Sequence, residues 1–167
     1  FHAIAGRALG LALCLAEQFT EAITLLESLT PLSAPDSLAA QFESNHLATL
    51  ARAYLGAGRY ADAHRAAEAA IASAQHSNSK VWEIYAWLFL LRLPAGEVPR
   101  ARVDEGRARL EQLIEDSGAE GFRPWLLLAK SQSSLTPADS QAWRQQAIER
   151  FICIGAPGNA ARLLNRA

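Results

Sequence analysis

The chain reads as an all-α protein built from paired helices, on three observations. Ala, Leu, Glu, Gln and Arg dominate the 167 residues, and these are strong helix formers. Period-two alternation of apolar and polar residues is absent. Gly and Pro gather in clusters: Pro31/Pro35, Gly56/Gly58, Pro94/Gly96/Pro99, Gly118/Gly121, Pro137 and Gly155/Pro157/Gly158. Between clusters the apolar residues recur at helical spacing. The segments so bounded predict about nine helices and no sheet, over 2–16, 19–30, 36–56, 60–75, 79–93, 100–117, 121–134, 137–153 and 157–166. The eighth start carries its own chemistry. Thr136-Pro137-Ala138-Asp139 sets an N-cap Thr before a Pro at the first helical position and an acid at the third.

The helices repeat in pairs. Shifting the chain by 41 residues lays Leu9 on Leu50, Gly10 on Ala51, Leu13 on Tyr54, Phe19 on Tyr60, Ala22 on Ala63 and Leu26 on Ala67. Small residues recur where paired helices cross, and aromatics recur beside the turn. Ile84, Trp87, Leu88 and Leu91 repeat the first-helix spacing of Leu47, Leu50, Ala51 and Tyr54. Gly106, Leu110, Leu113 and Ile114 repeat the second-helix spacing of Ala63, Ala67, Ala70 and Ile71. A self-similar helical hairpin is the signature of stacked repeats.

The pattern resembles the tetratricopeptide repeat, carried by Leu47, Leu50, Ala51, Tyr54, Gly58, Tyr60, Ala63, Ala67 and Ala70. A first copy rests on Leu9, Gly10, Leu13, Phe19, Ala22 and Leu26. The resemblance covers residues 3 to 75, with Ala51 in the place of the pattern's Gly. It implies a right-handed α-α superhelix of about four hairpins in one domain over 1–167, with units at 2–30, 36–75, 79–117 and 121–153. A capping helix follows over 157–166, its polar face made by Asn159, Arg162, Asn165 and Arg166. The long connection between units resembles the superhelical arms of large bacterial ATPase-type regulators and of nucleotide cyclases. That implies a protein-interaction or sensory domain of a cytoplasmic signalling or transcription-regulatory protein. Self-association as a structural module, or service to a catalytic domain upstream, are the alternatives.

Composition narrows the classes. Half the residues are apolar, a fifth are charged and the net charge is −1, so no basic surface is expected for nucleic acid or anionic membrane. The apolar run Ala8–Ala16 is too short to span a bilayer. Cys14 and Cys153 make no disulfide framework and suit free thiols in a reducing compartment. The absence of Met reads as a piece of a longer chain.

Catalytic, metal and cofactor chemistry is not expected. Glu43-x-x-His46 has the spacing of one di-iron ligand pair, but such a site needs two pairs and two further carboxylates. Two distant cysteines supply no zinc site. Gly155-Ala156-Pro157-Gly158 follows a helix and reads as a turn. Ser131, Ser133 and Ser134 have no nearby His. Arg and acid alternate through residues 100–109, the pattern of a solvated helix, and Glu111, Glu115 and Asp116 are expected to pair with Arg107 and Arg109.

One stretch is unusual. Val81–Leu93, "VWEIYAWLFLLRL", is apolar nearly all round. Wound as a helix it has two stripes. Ile84, Trp87, Leu88 and Leu91 pack inside the repeat. Trp82, Tyr85, Phe89 and Arg92 form the second stripe, which in tetratricopeptide repeats lines the concave groove. Asn45 and Arg52 of the preceding unit are expected beside it. These six residues are the candidate site for a protein or peptide partner. Some tetratricopeptide domains grip a C-terminal carboxylate with Lys and Asn at groove positions; here those positions hold Arg7, Leu11, Asn45, Ala48 and Arg52, without the Lys. Packing against neighbouring helices, or a homodimer contact, would use the same stripe.

Overall fold

A computed structural model describes residues 2–29, 37–134 and 136–164, with side chains from residues 4–29, 42–134 and 136–164. Every regular element among them is helical: α1 (His2–Leu15), α2 (Phe19–Ser28), α3 (Ser37–Gly56), α4 (Tyr60–His76), α5 (Lys80–Leu90), α6 (Arg100–Ser117), a 3₁₀ turn (Glu120–Phe122), α7 (Arg123–Gln132), α8 (Pro137–Cys153) and α9 (Pro157–Leu164). Each expected helix is present, most within two residues of its expected ends. The larger departures have local causes. Helix α5 stops at Leu90, short of 93, because Pro94 disfavours helical backbone just before it. At the start of the 121–134 segment Glu120–Phe122 winds as 3₁₀ before Pro124 takes its place in the first turn of α7. Asn165 and Arg166 of the expected cap lie outside the described residues.

One turn is used five times. The chain leaves α1, α3, α4, α6 and α8 through a residue of positive φ: Glu17 (61°), Gly58 (74°), Asn78 (51°), Gly118 (65°) and Gly155 (74°). In each case the next amide reaches back five residues: Gln18 to Leu13 (2.9 Å), Arg59 to Tyr54 (2.9 Å), Ser79 to Ala74 (2.8 Å), Ala119 to Ile114 (3.1 Å) and Ala156 to Phe151 (2.8 Å). This closure satisfies carbonyls that a helix end leaves open. It also reverses the chain within about three residues, which produces a hairpin.

The chain divides into two compact units, Phe1–Pro99 and Arg100–Ala167. The division falls inside the 79–117 span that the sequence register groups as a third hairpin. In the first unit α1 packs on α2 and α3, and α3 packs also on α2, α4 and α5; α4 packs on α5. Close approach depends on small residues. Ala22, Ala51, Ala67 and Ala70 are fully buried, and Ala63 nearly so. A Cβ built on Gly10 would lie 2.6 Å from Leu26 Cδ2, and one on Gly56 2.4 Å from the Phe19 ring. Phe19, the aromatic beside the first turn, thus rests on the end of α3.

In the second unit α7 packs on α6 and α8, and α8 on α9. Leu110, Leu113, Ile114, Leu126 and Phe151 fill its interior, and Trp125 meets Phe151 edge-on at 4.9 Å between centroids. The N-cap of α8 is as the sequence predicts. The Asp139 amide donates to Thr136 Oγ1 (3.1 Å), and that hydroxyl donates to the Asp139 carboxylate (2.7 Å). On α6 Arg107 pairs with Asp104, and Glu111 takes Lys130 of α7 at 2.9 Å instead of the expected Arg107.

Candidate partner-binding face and a buried Arg–His pair

Helix α5 carries an aromatic ladder on one side. The Trp82 and Tyr85 rings are 5.5 Å apart and tilted by 33°; Tyr85 and Phe89 are 6.1 Å apart and nearly parallel. The spacing of three then four residues stacks them on one face. Trp82 and Tyr85 are half-buried and Arg92, just past the helix, is exposed. Phe89 departs from the expected partial exposure: it is only 9% exposed. The ladder therefore runs from a rooted foot at Phe89 to an accessible top at Trp82. The inner stripe is as expected, with Ile84, Trp87, Leu88 and Leu91 all buried. Among them Glu83 is buried too, accepting from Gln75 Nε2 of α4 at 3.0 Å.

Helix α3, which packs on α5, carries Asn45 and Arg52, both half-buried. Thr49 ties this face together. Its hydroxyl lies 2.8 Å from the Asn45 carbonyl and 3.3 Å from Asn45 Oδ1. Arg52 lies close enough to Cys14 of α1 to oppose the upward push that burial gives that thiol. Ala48, between Asn45 and Arg52 in sequence, is fully buried.

A second polar feature lies between α1 and α3. Arg7 is 3% exposed and His46 9%. Arg7 Nε and Nη1 and His46 Nδ1 have no hydrogen-bond partner. Burial lowers the Arg7 guanidinium below its ordinary value. Burial, and then the nearby Arg7 charge, push His46 down to about 4. At neutral pH the site is a cation beside a neutral imidazole. The sequence named Arg7 as a groove position but not its burial. The available signal was that Arg7 is the only Lys or Arg in an otherwise apolar first helix.

The Glu43/His46 spacing does not become a ligand pair. Glu43 is exposed and accepts from Ser73 of α4 at 3.3 Å, whereas His46 is buried and within reach of the Arg7 charge. Among the described residues no three of His, Cys, Asp and Glu converge in a way that could hold a metal ion. Comparison of the chain with protein-family models, curated sequences and solved structures finds no match.

Around the second turn lies an exposed cluster. Tyr54 donates to Glu27 Oε1 (2.8 Å), Arg59 lies 4.6 Å over the Tyr54 ring, and Arg59 bridges to Asp62 at 2.6 Å. Burial first, then the Glu27 carboxylate, push the Tyr54 phenol up to about 12. These bonds tie the α2 surface to the α3–α4 turn. In the second unit a shallow groove of about 400 Å³ between α8 and α9 is lined by Ser140, Arg144, Ile148 and Leu163. Arg144 there donates to the Leu163 carbonyl and so pins α9.

Proposed function

We propose that the chain is a non-catalytic interaction domain of tetratricopeptide type, whose hairpins stack as a superhelix and whose α3–α5 face holds a peptide or protein partner. The observation that carries this reading is the ladder of Trp82, Tyr85 and Phe89 ending at exposed Arg92. Aromatic side chains with an Arg are the usual anchors of binding hot spots, since they bury large area for few rotatable bonds. The packing of α3 on both α1 and α5 supports a row of first helices, the row that would line a groove. Asn45 and Arg52 supply polar contacts to a peptide backbone or carboxylate. On this reading, which follows the resemblance of the sequence, the domain serves a larger cytoplasmic signalling or transcription-regulatory protein.

The test is selection of peptides from a random library on the chain, with affinity then measured by Trp fluorescence. Tyr85→Ala is expected to weaken the selected peptides at least about tenfold, the loss of about 1.4 kcal/mol, with the melting temperature nearly unchanged. Peptides that bind Tyr85→Ala equally well, or a variant that loses its fold, would return Trp82, Tyr85 and Phe89 to the role of packing residues.

A further inference from the structure

Helix α1 is inside out. Ile4, Leu9 and Leu15 are 52%, 53% and 64% exposed, and Ala5, Ala8 and Ala12 on the same side are exposed as well. At 3.6 residues per turn these positions span about 140° of arc. Arg7, by contrast, is buried on the opposite side of the helix, toward His46 of α3, with two guanidinium nitrogens unpartnered.

The internal register shows what covers this face elsewhere. Forty-one residues on, Ala5, Ala8, Leu9 and Ala12 become His46, Thr49, Leu50 and Ala53 of α3. All four are buried, where α3 packs on α1 and α2. Ala53 clusters with Cys14, Ala22 and Ile23, and Cys14 Sγ lies 3.9 Å from the Thr49 carbonyl. The corresponding residues of α5, namely Glu83, Ala86, Trp87 and Leu90, are buried in turn, where α5 packs on α3 and α4. Each later first helix therefore presents the Ala5/Ala8/Leu9/Ala12 part of this face to the hairpin before it, whereas Ile4 and Leu15 correspond in α3 to half-buried Asn45 and exposed Gly56.

We propose that α1 is the acceptor face for a further helical hairpin, preceding Phe1 in the natural chain and stacked on α1 as hairpin α1–α2 is stacked on α3. The proposal rests on the stacked-hairpin reading given above. A continuous exposed apolar face of this kind marks an interaction surface.

The test places Leu9→Glu in this 167-residue chain and in the natural chain extended upstream by one repeat, with Leu50→Glu as the comparison. Leu9→Glu is expected to leave the melting temperature of the shorter chain unchanged and to lower that of the extended chain by on the order of 5–10 °C. Amide exchange in α1 should also slow in the extended chain. If Leu50→Glu costs stability but Leu9→Glu is harmless in the extended chain, the acceptor proposal fails and the stacking reading stands. If Leu50→Glu is harmless, the stacking reading fails as well. A natural chain with no helical segment ahead of Phe1 overturns the proposal. So does sedimentation of this chain as a dimer that Leu9→Glu dissociates, which would make a second copy the occupant.

Discussion

Glu17 and Gly58 occupy the same place in successive hairpins, one repeat of 41 residues apart, and both hold positive φ. An L side chain in that conformation costs about 1 kcal/mol, because its Cβ crowds the backbone carbonyl; glycine avoids this. Glu17→Gly is therefore expected to stabilise the chain by about 1 kcal/mol, and Gly58→Ala to cost a similar amount. Both are read from urea midpoints at constant slope. At His46 the sign follows from the folded-state value of about 4 against an ordinary 6.5. The unfolded chain takes up the proton first, so stability present above pH 6.5 is lost as pH falls toward 4. The loss is at most roughly 3 kcal/mol, at about 1.4 kcal/mol per unit. A His46→Leu variant should lack this part of the acid sensitivity. Parallel pH profiles for the two proteins would show that the imidazole is not held neutral by its surroundings.

At the scale of the element, packing depends on side chains too small to separate the helices. Ala63 of α4 is buried where the 41-residue register pairs it with Ala22 of α2. Ala63→Leu adds three carbons to a site without room and is expected to cost about 1–3 kcal/mol. A melting curve coincident with the parent's would refute that register. Helix α5 shows how one element serves two tasks. Its inner stripe and buried Glu83 hold it in the first unit, while Trp82 and Tyr85 stay accessible. Phe89, expected at the surface with them, is buried and anchors the stack, which is why Tyr85 and not Phe89 is the residue to test for binding.

Each of the two compact units has its own buried interior, and the loop between α5 and α6 is exposed at Pro94–Glu97 and at Pro99. Separate chains of residues 1–99 and 100–167 are accordingly expected to keep helical circular dichroism, each with a cooperative melt. Trp82 and Trp87 report on the first and Trp125 and Trp143 on the second. A second fragment that melts without cooperativity would mean that its core around Phe151 is incomplete alone.

Helix existence, order and approximate ends were legible because they depend on local chemistry: helical periodicity, Gly and Pro punctuation, and the Thr136 cap. The small-residue crossings at Gly10, Ala22 and Ala63 were legible because a repeat displays the same constraint twice. Two of the five turns were not, since Glu17 and Asn78 do by backbone strain what Gly does freely, and composition does not advertise strain. The candidate site was legible as a stripe but not as a depth gradient. Whether Phe89 is buried and Trp82 accessible depends on which helix lies alongside, and no spacing within α5 encodes that. The burial of Arg7 beside His46, and the bare face of α1 opposite it, were decided by tertiary packing alone. They arise from what α2 and α3 cover and what they leave uncovered, a property of neighbours and not of the helix itself.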